Sequence, residues 1–252
     1  LTEIPENHPR YFSLLTRERI VEGVNLGITS MQGLIAQGRG ECFDYLLGEK
    51  TNAFAEKSET VAAAMLILAE KPIISVNGNT AALIPEQMIR LSGIVGAPLE
   101  VNLFHRTDER INRIINHLKD NGATEVLGEK GDEKLPLSHG RGTVDSDGIF
   151  SADVVVVPLE DGDRCETLVN MGKKVITIDL NPLSRTSRTA TVSIVDNVVR
   201  ALDGIANAAL EMQDWDREQL EKLVESYDNK ATLKKSLAAI NENLRHMADE
   251  VL

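Results

Sequence analysis

Four short polar stretches in this chain place cations, hydroxyls and glycines where phosphates or carboxylates are commonly held. In Val76-Asn77-Gly78-Asn79-Thr80-Ala81, Gly78 permits close backbone approach. The amides of Asn79, Thr80 and Ala81 would then point from a helix N-terminus at an anion. The same residues also make an ordinary strand–turn–helix capped by Asn or Thr. In Phe104-His105-Arg106-Thr107, His105 and Arg106 suit a phosphate or carboxylate. Alternatively, Thr107 caps a helix and His105 closes a local hydrogen bond. The run from Ile178 to Thr189, IDLNPLSRTSRT, offers Asp179 for a ribose hydroxyl and Arg185 and Arg188 for a phosphate chain. Its plainer reading is a solvated loop. In Gly38-Arg39-Gly40, with Arg17 upstream, a guanidinium between two glycines reaches a ligand without crowding. Taken alone, those residues favour a surface arginine at a helix break. Asp145 and Asp147 are a carboxylate pair, for magnesium or, more commonly, simply for water.

Familiar signatures are missing. No GxxxxGK[ST] occurs, and Gly172-Lys173-Lys174 lacks the loop before it. Gly38-Arg39-Gly40 and Gly140-Arg141-Gly142 begin a GxG without its third glycine, and neither G-x-S-x-G nor HExxH is present. Lys and Arg total 27 against 39 Asp and Glu in 252 residues, a net charge of −12, which argues against a nucleic-acid partner. Aromatic residues at 4% argue against a base-stacking platform. Cys42 and Cys165 have no partners at zinc spacing and make no disulfide framework. No apolar run reaches the ~20 residues of a membrane span. The opening LTEIPENHPRYF lacks the plan of a signal peptide, so a cytoplasmic protein is expected.

The elements that must position these stretches follow from periodicity. Residues 1–70 read as helical. Pro9 suits a first turn, and Tyr11, Phe12, Leu14, Leu15, Ile20, Val21 and Val24 recur at helical spacing. Thr29-Ser30 caps a second helix, with a break expected near Arg39 because Gly38 and Gly40 flank it. A third helix covers about 56–69. From residue 71 short apolar runs alternate with helical ones. Strands are expected at 72–76, 99–104, 124–127, 154–157, 175–178 and 191–194. The stretch AALIPEQMIRLSGIVG reads as one helix, TDERINRIINHLKDNG as another and 166–171 as a third. Residues 128–150 read as a long loop, and Asp196 as the cap of the helix after it. This alternation predicts a single α/β domain over 1–252. It comprises a Rossmann-like parallel sheet flanked by helices (71–212), an N-terminal helical segment (1–70) and C-terminal helices (213–252). The last part breaks near Asp228-Asn229. Leu233, Leu237, Ile240, Leu244, Met247 and Val251 then form a heptad seam, which packs on the chain itself or on a second subunit.

Three long blocks carry a resemblance: IPENHPRYFSLLTRERIVEGVNLGITSMQGLIAQGRGECFDYLLGE, VNGNTAAL and DLNPLSRTSRTATVSIVDNVVRA. Together they resemble the archaeal phosphopantothenate synthetases, the 4-phosphopantoate–β-alanine ligases, over nearly the whole chain. The resemblance implies Rossmann-like homodimers that join 4-phosphopantoate to β-alanine while ATP is cleaved to AMP and diphosphate, toward coenzyme A. It implies ATP as substrate with Mg²⁺ on its phosphates. Carried over position by position, it implies nucleotide contacts from Arg17, Arg39, Asp179, Leu180, Asn181, Arg185, Thr186, Asn197 and Val198. The phosphopantoate site is inferred separately, from strand ends, at Asn77, Gly78, Asn79, Thr80, His105 and Arg106. Two anionic reactants need cations to hold them together, which these positions supply. Two other readings stand beside the enzyme: a non-catalytic nucleotide- or phosphate-sensing module, and a structural dimer built on the heptads.

Overall fold

A computed structural model describes residues 4–8 and 10–251, with the side chain of Val251 excepted. Pro9, placed in a first helical turn by sequence, lies outside the described residues, as does the Val251 side chain of the seam.

Six parallel strands form the central sheet: β1 (Pro72–Val76), β2 (Leu99–Val101), β3 (Val126–Leu127), β6 (Val154–Pro158), β7 (Lys174–Ile178) and β8 (Val192–Ile194). Between β3 and β6 the chain inserts an antiparallel pair, β4 (Glu133–Lys134) with β5 (Thr143–Val144). The sheet order is β3-β2-β1-β6-β7-β8. Chain direction across the sheet therefore reverses between β1 and β6, and a crevice opens there at the strands' carboxyl ends.

Alternation along each strand explains the two layers. Ile74, Val76, Val156, Ile176 and Ile178 face one cluster with α3 (Ala53–Leu68), α5 (Pro85–Val95), α6 (Asp108–Asp120) and α9 (Val198–Glu211). Ile73, Val155, Val157 and Val175 face the other cluster. There they meet Cys165 and Leu168 of α7 (Gly162–Asn170) and Leu135, Val144 and Ile149 of the insertion. Burial on both sides is why these strands are runs of Val and Ile. The remaining helices are α1 (Tyr11–Asn25), α2 (Met31–Leu47), α4 (Gly78–Leu83), α8 (Arg185–Thr189), α10 (Arg217–Glu225) and α11 (Asn229–Val251).

Several expectations need correction. Helix α2 runs unbroken through Gly38 and Gly40. A glycine costs only about 1 kcal/mol in a helix, and the space beside Gly40 is filled by Leu180. The expected single helix after β1 is two, because Pro85 starts α5 and forces Ile84 out of helical geometry (φ −142°, ψ 40°). The second strand stops at Val101, short of Phe104. The segment 128–150 is ordered by β4, β5 and a 3-10 turn at Gly140–Gly142. Asn197 caps α9, while Asp196 pairs with Arg200. In the seam, Leu233 and Ile240 pack on Leu47, Leu180 and Val195, and Leu237 is half-buried, but Leu244 and Met247 are exposed. The described chain itself thus covers only the first half of that stripe. No described helix is long and apolar enough to cross a membrane.

Candidate functional site

A cleft of about 560 Å³ lies over the β1/β6 reversal. Its floor is made of strand ends. After β1 come Asn77, Gly78 and Asn79; after β2, Leu103, Phe104 and His105; after β6, Leu159, Glu160 and Asp161; after β7, Asp179, Leu180 and Asn181. Asn197 and Val198 close one end, and α2 contributes Gln37, Arg39 and Phe43 as a wall. Leu159 holds a left-handed backbone (φ 53°) despite its side chain, which turns the chain sharply at the reversal.

The β1 turn is tightly built. Asn77 Oδ1 accepts the amides of Asn79 (3.0 Å) and Thr80 (3.1 Å), and its Nδ2 donates to the Pro158 carbonyl at 2.8 Å, tying β1 to β6. Thr80 Oγ1 accepts from the Asn77 amide, completing a capping box, and Thr80 is fully buried. The Ala81 amide donates to the Asn77 carbonyl. The amide cradle expected for an anion is therefore occupied by the cap. Asn79 bonds Thr29 and donates to the Gly33 carbonyl at 3.0 Å, which joins the turn to α2. At Gly78 an added Cβ would fall 2.6 Å from the Ile28 carbonyl, so this position has no room for a side chain.

The β7 end forms a second polar group. Asp179 accepts the Asn181 amide at 2.9 Å and the Ser184 hydroxyl. Burial raises its pKa, against those hydrogen bonds and the charge of Arg39. Thr186 donates to the Glu160 carbonyl at 2.8 Å, joining α8 to the end of β6. Asn197 caps α9 through Val199 and donates to Asp44 of α2 at 2.7 Å.

The cleft thus gathers Arg39, Asp179, Leu180, Asn181, Thr186, Asn197 and Val198 at one end, and Asn77, Gly78, Asn79 and His105 toward the other. Four expected residues do not line it. Arg17 forms a two-pronged bridge to Glu41 at 2.9–3.1 Å, fastening α1 to α2, and that bond raises its pKa. Arg106 donates to the Gly128 carbonyl at 2.7 Å and holds the insertion. Thr80 is enclosed in its cap. Arg185 begins α8 with its side chain 62% exposed, 3.9 Å from Asp163. Asp145 is buried and accepts the amides of Gly128 and Gly131, while Asp147 pairs with Lys130, so neither reading of that carboxylate pair holds for Asp145.

Sequence reasoning passed over Arg110, Arg141, Glu160 and Asp161, all of which line the cleft. Glu160 and Asp161 directly follow the VVVV strand, so the strand-end rule would have found them. Arg141 was visible only within an incomplete GxG. It arrives from the insertion, a long-range placement that no local signal announces. Among the described residues no cluster of three or more His, Cys, Asp or Glu is arranged to hold a metal.

A family model described as phosphopantothenate/pantothenate synthetase matches residues 54–243. The chain is 60% identical over 250 residues to a 4-phosphopantoate–beta-alanine ligase of Methanosarcina mazei, covering 99% of both chains. It is 52% identical over 252 residues to the ligase of that name from Thermococcus kodakarensis, covering 99% of this chain and 97% of the other. A third, from Methanospirillum hungatei, is 50% identical over 246 residues, covering 98% and 100%.

Proposed function

The chain belongs to the phosphopantothenate/pantothenate synthetase family, and from that premise we propose that it joins 4-phosphopantoate to β-alanine, on the route to coenzyme A, at the cleft over the β1/β6 reversal. It is a ligase. We further infer that the reaction is driven by ATP, with AMP and diphosphate released. The observation that carries this reading is that one cleft brings arginines to two separate groups of strand-end residues. Arg39 stands beside the Asp179–Asn181 turn, and Arg110 and Arg141 stand beside His105.

The chemistry follows from holding two anions side by side. The carboxylate of phosphopantoate attacks the α-phosphorus of ATP, forming the acyl-adenylate and releasing diphosphate. The free amine of β-alanine then attacks the acyl carbon, forms the amide and expels AMP. No protein nucleophile is required. The chain's task is to orient both reactants and offset their repulsion. At the nucleotide end, Arg39, Asp179, Leu180, Asn181, Thr186, Asn197 and Val198 form the walls. Arg17 and Arg185 belong to this set by resemblance and begin outside the cleft. At the other end, Asn77, Gly78, Asn79 and His105 face the acid, with Thr80 and Arg106 supporting from behind. Among the described residues no cluster of carboxylates makes a resident magnesium site. Mg²⁺ arriving on the ATP phosphates is part of the substrate, and no step is assigned to it.

We also propose a cytoplasmic homodimer. Its support is the apolar surface left open on α1 and α2 at Phe12, Met31 and Ile35, and on α11 at Leu244 and Met247. Light scattering should give the mass of two chains; a single-chain mass overturns the dimer. AMP release tests the reaction. It should require ATP and phosphopantoate, and amide formation should also require β-alanine. ATP bound without AMP in the presence of both acids would leave only a nucleotide-sensing module.

A further inference from the structure

Resting on this ligase reading, we propose that Arg110 and Arg141 together hold the phosphate group of the acid substrate and so set its preference over the unphosphorylated acid.

Arg110 stands in the first turn of α6. Its Nε and Nη2 donate to the Ile28 carbonyl at 3.1 and 3.0 Å, which aims the guanidinium across the bare backbone at Gly78. Nη1 makes only a 3.4 Å contact with the His105 carbonyl. Among the described residues no carboxylate bonds Arg110, although it is half-buried.

Arg141 reaches the same end from the insertion and is more than nine-tenths buried. The Asn102 amide donates to the carbonyls of Arg141 (3.2 Å) and Thr143 (3.0 Å). At Gly140 an added Cβ would fall 2.6 Å from the Phe104 carbonyl, so the turn lies against the segment that follows β2. Arg141 Nη1 bonds Glu160 and its Nε lies 3.1 Å from Asp161, but among the described residues nothing bonds its Nη2. Glu160 is shared with the buried Arg164. The neighbouring Asp163 is bonded to His139.

Arg141 and Arg164 thus share Glu160, Arg141 also lies beside Asp161, and Arg110 lines the same cleft with no carboxylate bonded to it among the described residues. Burial, and then the charge of Arg141, hold the Arg110 pKa below its usual range. A cleft lined by Arg110, which bonds only carbonyls, and by Arg141, whose Nη2 is left without a partner among the described residues, is complementary to a dianion, which guanidinium donors grip well. With ATP assigned to the opposite end, the carboxylates of the acid itself and of β-alanine are the other anions available. Each carries one charge, and the phosphate carries nearly two, so the phosphate is the better match.

The test compares Arg110→Gln and Arg141→Lys with the unaltered enzyme; the lysine keeps a charge for Glu160 but loses the fork. Inorganic phosphate is the binding probe, read by calorimetry. The kinetic readout is kcat/KM for phosphopantoate relative to pantoate. Each substitution should weaken phosphate binding and lower the preference for the phosphorylated acid by about tenfold or more, with the KM values for ATP and β-alanine unchanged. An equal fall on both acids, or a change confined to the β-alanine KM, would overturn the assignment. The two readings fail differently. If the ligase reading is wrong, the unaltered protein makes no amide, yet phosphate binding remains and is lost in both variants. If only the present assignment is wrong, turnover is normal and neither phosphate binding nor the preference responds.

Discussion

At the scale of single residues, side-chain type says what a position can bind but not whether it is free to bind it. Arg17 and Arg39 looked alike in sequence. Arg17 is engaged by Glu41, whereas Arg39 lines the cleft without an ion pair among the described residues. Arg39→Ala should therefore raise the KM for ATP by about tenfold to a hundredfold, the worth of a charged hydrogen bond. Arg185→Ala should have a smaller effect, because its side chain begins outside the cleft and must move in. Steady-state kinetics on folded variants checks both; an unchanged KM in Arg39→Ala removes α2 from the nucleotide site. The polar stretches were legible because chemistry at a strand end needs glycines, hydroxyls and cations. The occupation of Asn77 by its own cap was not, since Asn serves equally as a ligand and as a cap.

At the scale of elements, the strands and most helices could be read directly from apolar period. Ends were less legible where two local preferences compete. Gly38 and Gly40 weaken α2 locally, yet its packing against Leu180 and its neighbours carries it through. The C-terminal seam shows the same limit. A heptad records that a face is apolar, not what covers it. Leu233 is buried among Leu47, Leu180 and Val195, so Leu233→Ala should cost ~2–5 kcal/mol of stability. Leu244→Asp, on the exposed half, should leave the melting of a single chain unchanged. Chemical denaturation of the two variants separates them. Equal losses would mean that the outer half is also packed within the chain.

At the scale of the whole molecule, two buried carboxylates couple stability to pH. Burial, then the charges of Asp196 and Glu56, push Glu59 up to about 8. Burial pushes Glu100 up to about 7, although it accepts amides from Asp145 and Ile149. Unfolded, both would ionise near their ordinary value of 4.5. Between about pH 4.5 and 8 these two groups therefore hold more protons in the folded chain than in the unfolded one, and the stability they contribute falls as pH rises. Carboxylates held low, such as Asp153 and Asp163, act in the opposite sense and only in acid. Glu59→Gln imitates the protonated form, so its melting temperature should exceed that of the unaltered protein more at pH 8 than at pH 5. A gain of the same size at both would show that Glu59 does not titrate in this window.

Composition and periodicity by themselves determined an acidic α/β chain, its parallel sheet, its helical flanks and the strand ends where a ligand would sit. Those are consequences of near-neighbour chemistry: a strand buried on both faces must be apolar, and a polar turn must follow it. Tertiary structure alone decided which of the polar side chains share one cleft. Arg110 and Arg141 are 31 positions apart in the sequence. They converge because β2 and the insertion after β3 are held together by Asn102, Glu100 and Asp145. That convergence depends on strand order and buried hydrogen bonds between distant segments, neither of which leaves a periodic trace in the sequence.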